Sequence, residues 1–128
     1  MTVIVDASAV MALMLGEVGA DEVQAVIRQS LMSAVNVSEC CARGVERGAG
    51  AGEVMAIVRS YDVKILAFEL EDALEAAQLR EPTRKFGASL GDRACLALGR
   101  RFGLPVLTAD RRLAEIDPRL GIDVRLIR

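Results

Sequence analysis

The stretch "VIVDASAV", residues 3–10, decides the fold that the rest of the chain must satisfy. Its β-branched residues Val3–Val5 are typical of a buried strand, and Asp6 follows where that strand must end. The small residues after Asp6 favour an immediate helix. Asp6 is therefore either a helix cap or one member of an acidic site that is assembled from distant parts of the chain.

The composition limits the chemistry that this chain can perform. Of its 128 residues, 52% are hydrophobic but only 3% are aromatic, which predicts one domain with an aliphatic core. The apolar surplus either enlarges that core or is buried against another chain. The chain has no histidine, so Ser-His-Asp catalysis and zinc sites with His ligands are excluded. The remaining candidates are carboxylates, hydroxyls, Arg, Lys or a metal ion.

Cysteine usage and hydropathy indicate the compartment. The chain has 3 cysteines, two of them adjacent at Cys40 and Cys41, and this pattern favours reduced thiols over a disulfide framework. The charge-free run Ala7–Gly16 has about half of the roughly 20 residues that a membrane span needs. No basic region precedes the first apolar stretch, so no export signal is expected. We therefore expect a cytoplasmic protein with no membrane segment.

Short β-rich segments alternate along the chain with segments of helical apolar spacing. Strands are predicted at Met1–Val5, Leu31–Val35, Val63–Ala67, Pro105–Thr108 and Val124–Ile127. Helices are predicted at Ala7–Leu15, Asp21–Ile27, Val37–Arg47 (capped by Asn36), Glu53–Arg59, Glu69–Arg80 and Asp92–Phe102, with the glycine-rich run Gly48–Gly52 as a connector. On two of these helices, apolar residues are predicted to share a face: Leu70, Ala73, Leu74 and Ala77, and the inward-facing Ala94, Cys95, Leu98 and Phe102. This alternation predicts an α/β fold with a mostly parallel central sheet of about five strands between helical layers.

Four carboxylates follow predicted strands or begin predicted helices: Asp6, Glu39, Asp92 and Asp110. Each has a purely structural explanation. Asp6 and Asp110 fit N-caps, and the segments 36–39 and 89–92 have the form of capping boxes. Together, however, they would meet outside the carboxyl ends of the strands, where ligands bind in open parallel sheets.

Such a cluster must hold protons or cations. Two carboxylate charges about 5 Å apart repel by about 3 kcal/mol at an effective dielectric near 20. Oxygen-only ligands favour Mg²⁺ or Mn²⁺, and metal-assisted hydrolysis of a phosphodiester is the reaction that fits best without histidine. These patterns support a metal–carboxylate site but do not identify nucleic acid as the substrate.

The segments "VIVDASAV", "NVSE", "SLGDRACLALG" and "GLPVLTADRRL" resemble PIN-domain ribonucleases in order and spacing. The last two look especially like the VapC toxins of bacterial toxin–antitoxin pairs. The resemblance extends from Val3 to about Asp117. It implies a three-layer α/β/α PIN fold, with residues 1–128 as one PIN domain, and an endoribonuclease that uses one or two Mg²⁺ or Mn²⁺ ions.

The same resemblance assigns roles to the acidic residues. Asp6, Asp92 and Asp110 would be the main metal contacts of a catalytic quartet. Glu39 would complete the quartet by binding a second ion or by orienting the attacking water.

Neighbouring polar residues receive a functional and a simpler interpretation. Ser8 and Thr108 match family positions where a hydroxyl lies near the metal, but they also suit a second cap ligand and a packing residue at a strand end. Arg93 would contact the scissile phosphate or pair with an acid.

The resemblance also implies partners: a homodimer, and a VapB-like antitoxin whose C-terminal segment crosses the site with a basic group near the acids. RNA needs a basic surface, yet the net charge is −2. Of the 16 basic residues, 14 are arginine, and seven basic residues could form a local phosphate-binding surface or an ordinary solvated one: Arg80, Arg84, Lys85, Arg100, Arg101, Arg111 and Arg112.

Of three rival functions, only the last fits the sequence. A response-regulator receiver would need more acids after the first strand and a lysine after the fifth, and a phosphatase with an Asp nucleophile would need D-x-D in place of Asp6-Ala-Ser8. Both fit poorly. A catalytically silent PIN domain that acts as an RNA- or protein-binding module fits the same sequence motifs. It differs from the nuclease only in having no activity.

Overall fold

The computed structural model describes residues 1–128, and a parallel sheet lies at its centre. Its strands are β1 (Ile4–Val5), β2 (Leu31–Ser33), β3 (Lys64–Leu66), β4 (Val106–Thr108) and β5 (Val124–Leu126). They are hydrogen-bonded in the order β3-β2-β1-β4-β5, and every pair is parallel. Ile4 of β1 lies between Leu31 of β2 and Val106 of β4. The predicted five-stranded parallel sheet is confirmed.

Helices cover both faces of this sheet, as the predicted three-layer fold requires. They are α1 (Ala7–Leu15), α2 (Ala20–Val26), α3 (Ala34–Glu46), α4 (Ala51–Ser60), α5 (Leu70–Gln78), α6 (Arg80–Thr83) and α7 (Leu90–Phe102). Alternation along β1 separates two cores, because Val3 and Val5 pack with residues of α1 to α4 while Ile4 packs with α7. None of the helices is long and apolar enough to span a bilayer.

The start of α3 differs from the prediction. The second strand ends at Ser33 instead of Val35, and the Ser33 hydroxyl accepts the Val35 N–H at 3.1 Å. The predicted cap at Asn36 is therefore wrong, because Ser33 caps the helix three residues earlier. The predicted capping box of residues 36–39 is wrong for the same reason: Asn36 is already inside the first turn.

The helix predicted at Glu69–Arg80 is divided into α5 and α6, and its apolar face points outward. Leu70 and Leu74 are 86% and 62% exposed, while the buried face of α5 carries Ala76 and Asp72. Asp72 pairs with Arg101 of α7 at 2.9 Å. Phe102, predicted to face inward, is 45% exposed. A small alanine and an ion pair thus form the contact between α5 and α7, and the larger apolar side chains remain at the surface.

Candidate active site

A cleft of about 150 Å³ opens at the carboxyl ends of the strands. Its lining includes all four carboxylates that the sequence singled out: Asp6, Glu39, Asp92 and Asp110. Asp6 follows β1, Asp110 follows β4, Asp92 lies in the first turn of α7, and Glu39 lies in the second turn of α3. The structure therefore brings together acids that are up to 104 residues apart in the sequence (Asp6 and Asp110).

Asp6 is the most buried of the four and is held by three donors. Its Oδ1 accepts the Ala9 N–H at 2.9 Å, which caps α1, and the Ser8 hydroxyl at 2.7 Å. Its Oδ2 accepts the Thr108 hydroxyl at 2.5 Å. The Ser8 hydroxyl in turn accepts the Ala109 N–H at 2.8 Å. Ser8 and Thr108 thus fix the orientation of Asp6 from two separate elements.

Burial raises the pKa of Asp6 from 3.8 to about 6. Desolvation disfavours the ionised carboxylate, and the nearby charge of Asp92 raises the pKa further. The hydrogen bonds from Thr108, Ser8 and Ala9 act in the opposite direction. Since only 3% of Asp6 is exposed, desolvation prevails, and these bonds offset only part of the hydration that the carboxylate loses on burial.

Asp92 is both a cap residue and a cleft residue. The predicted capping box at the start of α7 is confirmed: Asp92 Oδ2 accepts the Ser89 N–H at 2.9 Å, and the Ser89 hydroxyl accepts the Asp92 N–H at 3.1 Å. Asp92 Oδ1 accepts no hydrogen bond from the protein. One oxygen therefore serves the helix, and the other keeps its lone pairs for a ligand.

Asp110 does not cap an α-helix. It forms a tight turn in which its Oδ1 accepts the Arg112 N–H at 2.9 Å, and the Arg112 guanidinium binds the same carboxylate at 3.1 Å and 3.3 Å. Partial burial alone would raise the pKa of Asp110. The hydrogen bonds and charge of Arg112 outweigh that effect and lower the pKa, so Asp110 is ionised near neutral pH.

Glu39 is positioned by a residue whose role the sequence did not reveal. The side chain of Asn36 donates to Glu39 Oε1 at 2.7 Å and to the Gly91 carbonyl at 3.1 Å, so it ties α3 to the start of α7. Gly91 lies so close that an added Cβ would overlap the Glu39 carboxylate. The spacing of Asn36 and Glu39 on one helix face is the available signal for this contact, but the same spacing also has the form of a capping box.

The arginines in the cleft are not the ones that the sequence indicated. Arg93 donates to the Ala76 carbonyl of α5 at 3.0 Å and does not line the cleft. None of the residues predicted to bind RNA lines it either. Two others do, Arg43 and Arg128. Arg43 could have been found from its i,i+4 spacing to Glu39, whereas Arg128 reaches the cleft only because β5 lies beside β4.

The donor set of the cleft fits a hard divalent cation. The candidate ligands are carboxylate and hydroxyl oxygens, as Mg²⁺ and Mn²⁺ prefer. Besides the free Oδ1 of Asp92, Glu39 Oε2 makes no hydrogen bond within the protein. No three acidic or thiol side chains already stand close enough to enclose an ion.

The fold and cleft are those of a parallel α/β protein with an acidic site at the strand ends. The PIN domain profile matches residues 3–118, so the chain belongs to the PIN domain family. No curated protein matches the chain in a sequence search.

Solved structures with the same fold include VapC-type toxins and their complexes. VapC20 of Mycobacterium tuberculosis, a toxin that cleaves the sarcin–ricin loop, has a TM-score of 0.74 and 19% identity, covering 90% of this chain and 96% of that one. A toxin–antitoxin complex from Klebsiella pneumoniae has a TM-score of 0.71 and 20% identity, covering 98% of each chain. At such identities these likenesses establish the fold.

The raised pKa of Asp6 predicts a pH-dependent stability. Because the folded state favours protonated Asp6, its stabilising contribution is present below pH 4 and is lost as the pH rises through about 6. In EDTA, the unfolding free energy of Asp6→Asn relative to wild type should increase between pH 4 and 7 by an amount on the order of 3 kcal/mol. Chemical denaturation measures this difference.

Asp123→Asn provides the control, since Asp123 is exposed and lies outside the cleft. Its difference from wild type should show no comparable rise. A pH-independent difference for Asp6→Asn would show that burial does not perturb this carboxyl.

Proposed function

We propose that this PIN domain is a metal-dependent endoribonuclease of the VapC toxin type, with residues 1–128 acting as one domain on RNA in the cytoplasm. The observation that carries the proposal is the convergence of Asp6, Glu39, Asp92 and Asp110 on one cleft at the strand ends. The donor chemistry of these residues and membership of the PIN family support it.

In this proposal Asp6, Asp92 and Asp110 bind one Mg²⁺ or Mn²⁺, and Glu39 binds a second ion or orients the attacking water. The chemistry that a bound ion supplies is activation of water and neutralisation of charge at the scissile phosphate. Asp6 and Asp92 lie at the N-termini of α1 and α7, whose dipoles favour ionised carboxylates.

The surrounding residues hold these carboxylates in place. Ser8 and Thr108 fix both oxygens of Asp6, so that its orientation does not depend on the substrate. Asn36 fixes Glu39 against α7. Arg112 keeps Asp110 ionised and in a defined rotamer, although its guanidinium must share that carboxylate with any bound ion.

Metal-dependent cleavage of RNA is the direct test. Purified wild-type protein should cleave mixed RNA in Mg²⁺ or Mn²⁺, and EDTA should abolish the cleavage. Asp92→Asn should reduce the rate by about 100-fold or more, because charge stabilisation by a metal is worth several kcal/mol. The side-chain amide that this substitution introduces retains an oxygen for the Ser89 N–H, so folding should be preserved.

Asp123→Asn is the matched control and should cleave at the wild-type rate, because its carboxylate pairs with Arg125 away from the cleft. Equal cleavage by every variant would reveal a contaminating nuclease. Absence of cleavage by the wild-type protein would contradict the enzyme assignment and favour the catalytically silent binding module.

We further propose that a VapB-like antitoxin inhibits the enzyme with a basic group opposite the acidic cleft. The support is twofold: the cleft concentrates four carboxylates, and the structural relatives include toxin–antitoxin complexes. A cationic side chain in the cleft would compete with a metal ion for the same oxygens.

Titration with the protein encoded beside this gene tests the inhibition. RNA cleavage should fall to background at a 1:1 ratio, whereas an unrelated basic peptide of equal charge should leave it unchanged. Full cleavage at saturating partner would contradict this part of the proposal.

We also propose that the chain forms a homodimer through the apolar surface of α5 and α7. Leu70 and Phe102 line one groove of about 550 Å³ together with Leu66, and Leu74 continues the exposed apolar face of α5. Apolar surface that no part of the chain covers indicates an interface, and a self-complementary patch would form a two-fold dimer.

Light scattering after size exclusion measures the oligomeric state. The wild-type protein should have twice the chain mass of 13.7 kDa, and the double variant Leu70→Glu, Leu74→Glu should have the mass of one chain. Val18→Glu, at an exposed apolar residue elsewhere, should remain a dimer. A wild-type monomer would disprove the dimer.

A further inference from the structure

Two guanidinium groups border the acidic cleft without any partner of their own. Arg43 of α3 and Arg128 beyond β5 both line it. Neither takes part in an ion pair within 4.0 Å or in a side-chain hydrogen bond. Arg43 even stands one helical turn after Glu39, a spacing that favours pairing, yet Asn36 holds that carboxylate instead.

Several of the arginines that do not line the cleft are already engaged. Arg112 is bound to Asp110, Arg101 to Asp72 and Arg84 to Glu81. Arg93 donates to the Ala76 carbonyl of α5. The free donors that remain at the cleft therefore belong to Arg43 and Arg128.

We propose that Arg43 and Arg128 bind the RNA phosphates on the two sides of the scissile phosphate. This inference rests on the proposed nuclease function and adds the residues that hold its substrate. An arginine presents five donors in a planar fork, which suits bidentate binding of a phosphate.

Electrostatics explains why such residues are needed. A cleft with four carboxylates repels the phosphates of an approaching strand, because like charges a few ångströms apart repel strongly at a protein surface. A metal ion offsets this repulsion at the scissile phosphate only. The adjacent phosphates need their own cations.

The sheet order places the elements that carry the two arginines on opposite sides of β1 and β4, the strands that Asp6 and Asp110 follow. Arg43 is on α3, which follows β2 on one side of β1, whereas Arg128 follows β5 on the far side of β4. At a strand spacing of about 4.8 Å, β2 and β5 are roughly 14 Å apart. A single RNA strand laid along the carboxyl edge of the sheet would therefore pass Asp6 and Asp110 between the elements that carry the two arginines.

The salt dependence of RNA binding tests this directly and needs no cleavage. Affinity for a labelled single-stranded RNA is measured in EDTA at several salt concentrations. Each lost phosphate contact should weaken binding about tenfold or more and reduce the slope of log affinity against log salt by about 0.7. Arg43→Gln and Arg128→Gln should each show this change, and the double variant should lose about 1.4 from the slope because the two contacts are on different phosphates.

Two controls separate a specific contact from general charge. Arg43→Lys should retain the salt slope while binding more weakly, since lysine keeps the charge but not the fork. Arg47→Gln, at an exposed residue one turn further along that does not line the cleft, should leave both affinity and slope unchanged.

Unchanged slopes in Arg43→Gln and Arg128→Gln, an equal loss in Arg47→Gln, or no RNA binding by the wild-type protein in EDTA would each overturn the inference. The nuclease proposal fails on a different result, the absence of metal-dependent cleavage by the wild-type protein. The two failures are therefore distinguishable.

Discussion

The buried carboxylate of Asp6 is the constraint on which the site and much of the fold depend. A charge that is almost fully removed from water must be compensated by hydrogen bonds. Ala9 and Ser8 supply two of them from α1, and Thr108 supplies the third from β4. These donors are available only if α1 starts directly after β1 and if β4 lies beside β1. The strand order and the position of the acid are thus fixed together.

At this edge of the sheet the same carboxylates cap helices and line the cleft, because helix N-termini and ionised carboxylates stabilise each other. Free N–H groups of a first helical turn require acceptors, and the positive end of the helix dipole favours ionised acids. Asp6 and Asp92 satisfy both needs, with lone pairs remaining for a ligand. Asp6 and Asp92 are therefore helix caps and cleft residues at the same time. Asp110 differs, because its carboxylate accepts hydrogen bonds from Arg112 instead of from the N-terminus of an α-helix.

Local signals predict the elements that local interactions form. Helix α1 has the predicted bounds because a cap, small residues and a terminal glycine agree. The capping box of α7 is predictable for the same reason. The role of Asn36 is not, because its partner, the Gly91 carbonyl, is 55 residues away, and nothing between them in sequence indicates that contact. The outward apolar face of α5 is likewise set by packing on α7. The position of Arg128 requires the full strand order, which no local pattern supplies.

The positive charge that is free to meet RNA also depends on the three-dimensional arrangement of the chain. Three aspartates of the C-terminal segment each pair with the arginine two residues later: Asp110 with Arg112, Asp117 with Arg119, and Asp123 with Arg125. Exposed pairs of this kind contribute little to stability or to long-range attraction, so a count of arginines overestimates the basic surface that is free to meet RNA. A net charge of −2 is nevertheless compatible with a nucleic-acid substrate. An incoming phosphate meets four acids, one of them already offset by Arg112, and the unpaired guanidinium groups of Arg43 and Arg128. In the proposed nuclease, a phosphodiester would enter this cleft with the two guanidinium groups beside it and a metal ion offsetting the acids.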